Sequence, residues 1–276
     1  MSRLVETATS FALLCAVFWP LERLFPARSG QAWVRARWFT DVAFFLGQYL
    51  LWGGLVVLAL DASHAWLSAV IPSRVRELVA LQPRALQVIE VLFFADFGVY
   101  WFHRACHRFD FLWRFHAVHH SAEHLDWLAA HREHPLDGLC TQLVVNLPAF
   151  VMGFDLTTLG WAIALRGMWG LFIHSNARLP VGPLKYLLGA PELHHWHHAR
   201  VERTAHNFAN LAPWCDLLFG TYHCPKGPET YELGLTQPFP KSYLGQLLLP
   251  LLPTQGPSSL PSESVSPSRA ASSASH

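Results

Sequence analysis

The sequence predicts an all-α integral membrane protein: about four transmembrane helices and a cytoplasmic, histidine-rich helical cap that holds a di-metal site. Three observations predict it. Charged residues make up 14% of the 276-residue chain and apolar ones 52%, whereas soluble domains carry roughly 25% charge. Several apolar runs approach the roughly 20 residues a helix needs to cross a bilayer. Of 17 histidines, 15 lie between His103 and His223. The 19 Phe and 12 Trp exclude disorder for most of the chain. The net charge of +1 gives no footing for nucleic-acid binding. The 5 cysteines form no CxxC pair, which argues against a disulfide framework and for a reducing side.

Each membrane element has its own justification. Phe11 to Pro20 reads as a first helix rather than a cleaved signal, because it lacks a basic cluster and a small-residue cleavage site. Phe39 to Leu60 is a full span with one acid, Asp41, near its start. Gln87 to Phe102, extended backwards by Ala85 and Leu86, is apolar except for Gln87, Glu90 and Asp96. Residues 138–154 and 156–173 are two short runs parted by Asp155, the second carrying Arg166. They fit either two spans or a tight hairpin dipping into the bilayer. Residues 253–276 are rich in Ser, Pro and Ala and read as a disordered tail.

Basic residues in short loops orient such a chain. Arg23, Arg28, Arg35 and Arg37 lie in 21–38, and Arg104, Arg108, Arg114 and Arg132 in 103–137. Arg178, Lys185, Arg200 and Arg203 follow Ile173. Placing these three regions in the cytoplasm makes the helices alternate correctly and puts every clustered histidine on one side. Residues 61–84, with Arg74, Arg76 and Arg84, then face the opposite side, so the bias is modest.

The histidines form boxes. His103 and His107 make HxxxH; His116, His119 and His120 make HxxHH; His194, His197 and His198 make a second HxxHH; His174 closes an apolar run. Residues three and four apart share a helix face, so each box gathers its imidazoles. Imidazole suits Zn, Cu, Fe and Ni. These nine exceed what one metal can bind, so two metals are expected. His195 falls outside the pattern and is expected to support a ligand or lie on the surface. His134 is expected to support a ligand, and His131, His64, His124, His206 and His223 to be ordinary structural histidines. Asp96 lies seven residues before His103. Two turns apart on one face, it is a candidate to accept a ligand's N–H and fix its tautomer, or else to bond a neighbouring helix.

In order, HRACH, HAVHH, REHP, HSN, HHWHH and NFANLAPWCDLLFGTY resemble the fatty acid hydroxylase/sterol desaturase superfamily across roughly residues 90–225. The resemblance implies a non-haem di-iron centre, O2 activation and oxidation of a lipid C–H bond by hydroxylation or desaturation. The matching ligands are His103, His107, His116, His119, His120, His174, His194, His197 and His198. One departure stands out: the fatty acid 2-hydroxylase branch carries a further His where this chain has Arg178. Two iron ions are the implied cofactor, with zinc able to take their place in a preparation.

Nothing in the sequence resembles a haem, flavin or iron–sulfur domain. Electrons must therefore come from a separate donor, cytochrome b5-like or ferredoxin-like, docking on the basic face. The substrate is expected to be a fatty acyl chain or sterol entering from the bilayer. Trp101, Phe102, Trp113, Phe115 and Trp196 fit either a dry pocket or an interfacial aromatic belt. The expected organisation is 1–84, N-terminal membrane helices and a loop; 85–225, a fatty acid hydroxylase-like catalytic domain; 226–252, a C-terminal extension; and 253–276, the tail. Two other classes are a histidine-rich membrane metallohydrolase and a bis-His haem electron carrier. No HExxH is present for the first, and for the second the histidines cluster outside the expected spans.

Overall fold

A computed structural model describes residues 2–154 and 156–252. The expected disordered tail, 253–276, lies outside the described residues. Among these the fold is helical without a strand, and four helices are long and apolar enough to cross a membrane. Only 17–33% of the apolar stretch of each is buried inside the protein. The remainder presents side chains such as Leu51, Leu58 and Trp66 outwards, as a lipid-facing surface requires.

Helix α1 (Arg3–Leu24) carries a buried acid, Glu22, in its last turn. Glu22 Oε1 accepts the backbone N–H groups of Trp127 and Asn176 at 2.9 and 3.0 Å, which pins this end of α1 to two loops of the histidine cap. Leu14 and Phe18 of α1 bury against Phe45 and Trp127. The second span runs unbroken from Trp38 to Val70, 33 residues rather than the 22 expected at 39–60. It comprises α2 (Trp38–Leu46), a π-helical stretch (Gly47–Trp52) and α3 (Gly53–Val70). At about 1.5 Å per residue it reaches some 50 Å, beyond the ~30 Å hydrocarbon core. Helix α4 (Ser73–Ala80) is a short surface helix at its far end.

Helix α5 (Arg84–Arg108) is also longer than its apolar run, so its last turns carry His103 and His107 on the same rod that crosses the membrane. Phe109 then turns extended and α6 (Asp110–His120) begins at once. Helix α7 (Pro135–Met152) starts with Pro at N1 and ends at Gly153, whose φ of 72° is left-handed. A side chain at Gly153 would also collide with Arg76 of α4. Helix α8 (Leu156–His174) returns to the cap. The runs at 138–173 are therefore two separate helices about 27 Å long, α7 packing on α3 and α5 and α8 on α5. The cap is completed by α9 (Pro191–His197), α10 (Trp214–Leu218) and α11 (Tyr243–Leu248).

These contacts fix the two ends of the bundle. The end of α1, the starts of α2 and α7, and the ends of α5 and α8 meet at the cap. Residues around α4 and Gly153 occupy the opposite end. A buried ion network locks the cap onto α2. Arg35 holds Asp126 through both guanidinium branches at 2.7 Å. Asp41 bridges Arg35 at 2.7 Å and Arg132 at 2.6 Å. Residues 226–252 pack onto the cap as well: Glu229 binds Arg28 and His195.

Candidate metal centre

All nine box histidines converge at one end of the bundle, and they sort into two groups. His103, His107, His116, His120 and His197 bring their ligand atoms within 4.8 Å of one another, and so do His119, His174, His194 and His198. Helix α6 serves both groups. His116 and His120, one turn apart, face the first; His119, on the adjoining face, turns to the second. The groups adjoin, with the His120 and His198 rings 4.4 Å apart.

The orientation of each ring is set from behind. His103 Nδ1 meets the Phe208 carbonyl at 2.8 Å and His197 Nδ1 the His206 carbonyl at 2.7 Å. His119 Nδ1 meets the Arg132 carbonyl at 3.2 Å and His174 Nδ1 the Gly170 carbonyl at 2.6 Å. A carbonyl can only accept, so each of these Nδ1 atoms carries the proton and each Nε2 presents a bare lone pair. His119 Nε2 and His174 Nε2 nevertheless stand 3.0 Å apart. Two lone pairs facing each other at that distance repel, and a cation held by both would relieve the repulsion. In the first group, Nε2 of His103, His116 and His197 is buried without a hydrogen-bond partner. The donor set therefore fits metal ions, which no protein group replaces here.

Burial, first of all, and then neighbouring imidazoles hold His119, His120, His194 and His198 well below the usual histidine range. Burial likewise pushes His197 down to about 3, against a partial lift from its bond to the His206 carbonyl. These rings are neutral at pH 7, the form that binds metal.

The remaining predicted residues land elsewhere. Asp96 does not touch an imidazole. Its carboxylate accepts the backbone N–H groups of Leu211 and Ala212 at 2.9 and 3.1 Å. Seven residues are two full turns, about 10 Å of rise, so a carboxylate below His103 cannot reach that ring. It anchors instead the loop bearing Phe208, which orients His103. His134 caps α7: its Nδ1 accepts the N–H of Leu136 at 3.1 Å, and its Nε2 meets the Leu247 carbonyl at 3.1 Å. His195 spends both nitrogens, Nδ1 on Glu229 at 2.9 Å and Nε2 on the carbonyl of Ser175, next to His174, at 3.1 Å. Arg178 pairs with Glu192 at 3.3 Å and takes no place among the imidazoles.

The carboxylate that does hold a box histidine is Asp137, whose Oδ2 accepts His116 Nδ1 at 2.8 Å. Its signal in the sequence is faint: an acid in the first turn of α7, just past the REHP motif. A second unforeseen group is Asp216, which accepts the N–H of Phe208 and of Ala209, each at 2.9 Å, and the Thr221 hydroxyl at 2.7 Å. Asn207, at φ 59°, bonds the Leu193 and His223 carbonyls. The segment Asn207–Tyr222 thus carries no ligand but shapes the loop whose carbonyls aim His103 and His197. His206 supplies such a carbonyl; His223 stacks on Trp196 and His64 on Phe150, away from the centre.

This geometry coincides with a known family profile, fatty acid hydroxylase, matched by residues 88–221. The segment resembles fatty acid hydroxylase domains. The chain is 37% identical over 170 residues to ornithine lipid hydroxylase OlsE of Rhizobium tropici, covering 61% of this chain and 51% of that protein. It is 30% identical over 146 residues to human alkylglycerol monooxygenase, covering 52% of this chain and 32% of the relative. It is 31% identical over 138 residues to methylsterol monooxygenase 1-1 of Arabidopsis thaliana, covering 49% and 46%. The chain thus spans about half, or less, of the length of these curated relatives. No solved structure matches it significantly.

Proposed function

We propose that the protein is a membrane-bound, non-haem di-iron oxygenase that hydroxylates or desaturates a C–H bond of a lipid, fatty acyl or sterol-like. The observation that carries this reading is the nine imidazoles in two adjoining groups of five and four, aimed by carbonyls and Asp137. The relatives, named as a lipid hydroxylase and two monooxygenases, support the substrate class. Two irons held there would supply the reduction of O2 and the oxidation of the C–H bond.

The Nε2 pairs His107–His120, His119–His174, His174–His194 and His194–His198 are 3.1, 3.0, 2.9 and 3.1 Å apart, close enough for the imidazoles of each group to hold one ion together. An all-imidazole donor set suits iron.

The chain's own residues do the rest. A cavity of about 500 Å³ opens onto His103, His116, His119, His174 and His194 between α5, α7 and α8. Val99, Phe102, Ile163 and Leu171 give it apolar walls that suit an acyl chain and keep water from the reacting carbon. We assign the catalytic unit to residues 85–225, the cap to the cytoplasmic side, and the reductant to a separate cytochrome b5-like or ferredoxin-like carrier. Lipid extracts from cells with and without the gene test the reading. The expected result is a lipid heavier by one oxygen atom or lighter by two hydrogens, dependent on O2 and on iron in the purified protein. A Soret band, or turnover without O2, would overturn it.

A further inference from the structure

The cavity described above is not apolar throughout. Gln48, His131, Glu133 and Gln142 line it, and the same four line a second cavity of about 150 Å³ beside it. They form the partition between the two. His131 is almost fully buried, with Nδ1 2.9 Å from Gln48 Oε1, so that Nε2 is left as an acceptor with no partner. The Glu133 carboxyl makes no hydrogen bond to a described residue. Burial, with Asp137 nearby, raises it above the usual carboxylate range, and burial lowers His131 to about 4. Both shifts favour the uncharged forms, in which the partition offers donors as well as acceptors.

The backbone carries an independent sign. Gln48 lies in the π-helical stretch Gly47–Trp52, which interrupts an otherwise continuous 33-residue span. Single π turns inside helices mark functional sites, because the extra residue redirects a side chain at the expense of helical hydrogen bonding. Gln48 is also exposed within an apolar span, where its amide NH2, not used in the bond to His131, is costly without a partner. Finally, His131 and Glu133 flank Arg132, whose carbonyl aims His119. The polar partition and the metal centre share one backbone turn.

We propose that Gln48, His131, Glu133 and Gln142 form a subsite for an uncharged lipid group that both donates and accepts hydrogen bonds, a hydroxyl or a secondary amide. Anchored there, the lipid presents to the histidines a carbon near that group rather than one far along its chain. The cation lining the same cavity, Arg166, takes no part in the partition. A free carboxylate is thus the competing ligand. The subsite rests on reading this cavity as the lipid site.

The test uses full-length protein in nanodiscs and four saturated probes of one chain length: alkane, primary alcohol, secondary amide and fatty acid. Binding is measured by displacement of a fluorescent lipid, and oxidised positions by mass spectrometry after incubation with O2 and a supplied reductant and electron carrier. The wild-type protein is expected to favour alcohol and amide. Glu133→Leu and Gln142→Leu are expected to weaken those two about tenfold, leave the alkane unchanged and scatter the oxidised position. Glu133→Gln, which keeps donor and acceptor, is expected to restore most of the affinity. Equal losses for alkane and amide, no loss at all, or a wild-type preference for the fatty acid would overturn the subsite. If binding discriminates as expected while no probe is oxidised, the subsite stands and the oxygenase reading fails.

Discussion

At the scale of single residues, the histidines that converge were legible and the groups that orient them were not. HxxxH and HxxHH are spacings within one helix, so geometry along the chain suffices to pair their rings. His174 belongs to no spacing motif and stood out only as the end of an apolar run; the structure seats its Nε2 3.0 Å from that of His119. What orients the rings lies far away in sequence: Phe208 is 105 residues from His103, and Asp137 is 21 from His116. Periodicity cannot report such pairs. His119→Ala should leave the protein in the membrane, lower the metal content by about one ion per chain and abolish turnover. Unchanged metal content and activity would rule out the second group. Asp137→Asn should weaken metal binding by roughly 10–100-fold, because the charge that raises His116 basicity is lost. Asp96→Asn separates cleanly from it. The side chain can still accept one backbone N–H, so thermal stability should fall while iron per folded molecule under a competing chelator stays constant. Loss of iron affinity in Asp96→Asn equal to that in Asp137→Asn would return Asp96 to the metal.

At the scale of elements, apolar runs located every long helix but misjudged their ends. The second span continues ten residues past Leu60 because Asp61, Ser63 and His64 are tolerated on a helix already leaving the bilayer. Asp41 was visible as a solitary acid, but its meaning was not, since its partner Arg132 lies 91 residues away. Asp41→Asn would leave Arg35 and Arg132 facing each other, with side chains 2% and 1% exposed. Breaking one partner of a buried ion network costs about 3–5 kcal/mol, so the melting point in detergent should fall sharply. A shift within error would show the network to be dispensable. The ends of the bundle predict a labelling pattern too. Cysteines placed at Glu123 in the cap and at Leu81 near α4, both exposed, should react with impermeant reagents from opposite sides, the cap from the cytoplasm. Labelling of both from one side would refute the path of the helices, and reversed labelling would refute only the orientation.

At the scale of the whole molecule, the fold class and the gathering of the boxes followed from composition and spacing, but the cap's cohesion did not. Its helices are short: α9 has 7 residues and α10 has 5, too few to hold themselves together. They are held by buried polar groups, and ions bound by the imidazoles would tie them further. That makes the molecule sensitive to acid, and the sign follows from linkage. His119, His120, His194, His197 and His198 sit below the ordinary histidine value in the folded protein, His197 at about 3, chiefly because they are buried. Below the unfolded value of about 6.5 the unfolded chain binds protons that the folded chain refuses, so stability falls as pH drops. The full contribution is present above that value and is lost progressively towards about 3. Bound metal deepens the effect, since protons compete for the same Nε2 lone pairs. The expected outcome is a melting temperature steady from pH 8 to pH 7 and falling steeply between pH 6 and pH 5, with iron released over the same interval. Chelator-treated protein at pH 7.5 should melt lower than the iron-loaded form and retain a weaker acid dependence of the same sign. A metal-free protein whose stability rose on acidification would mean that the histidines are not buried neutral in the folded cap.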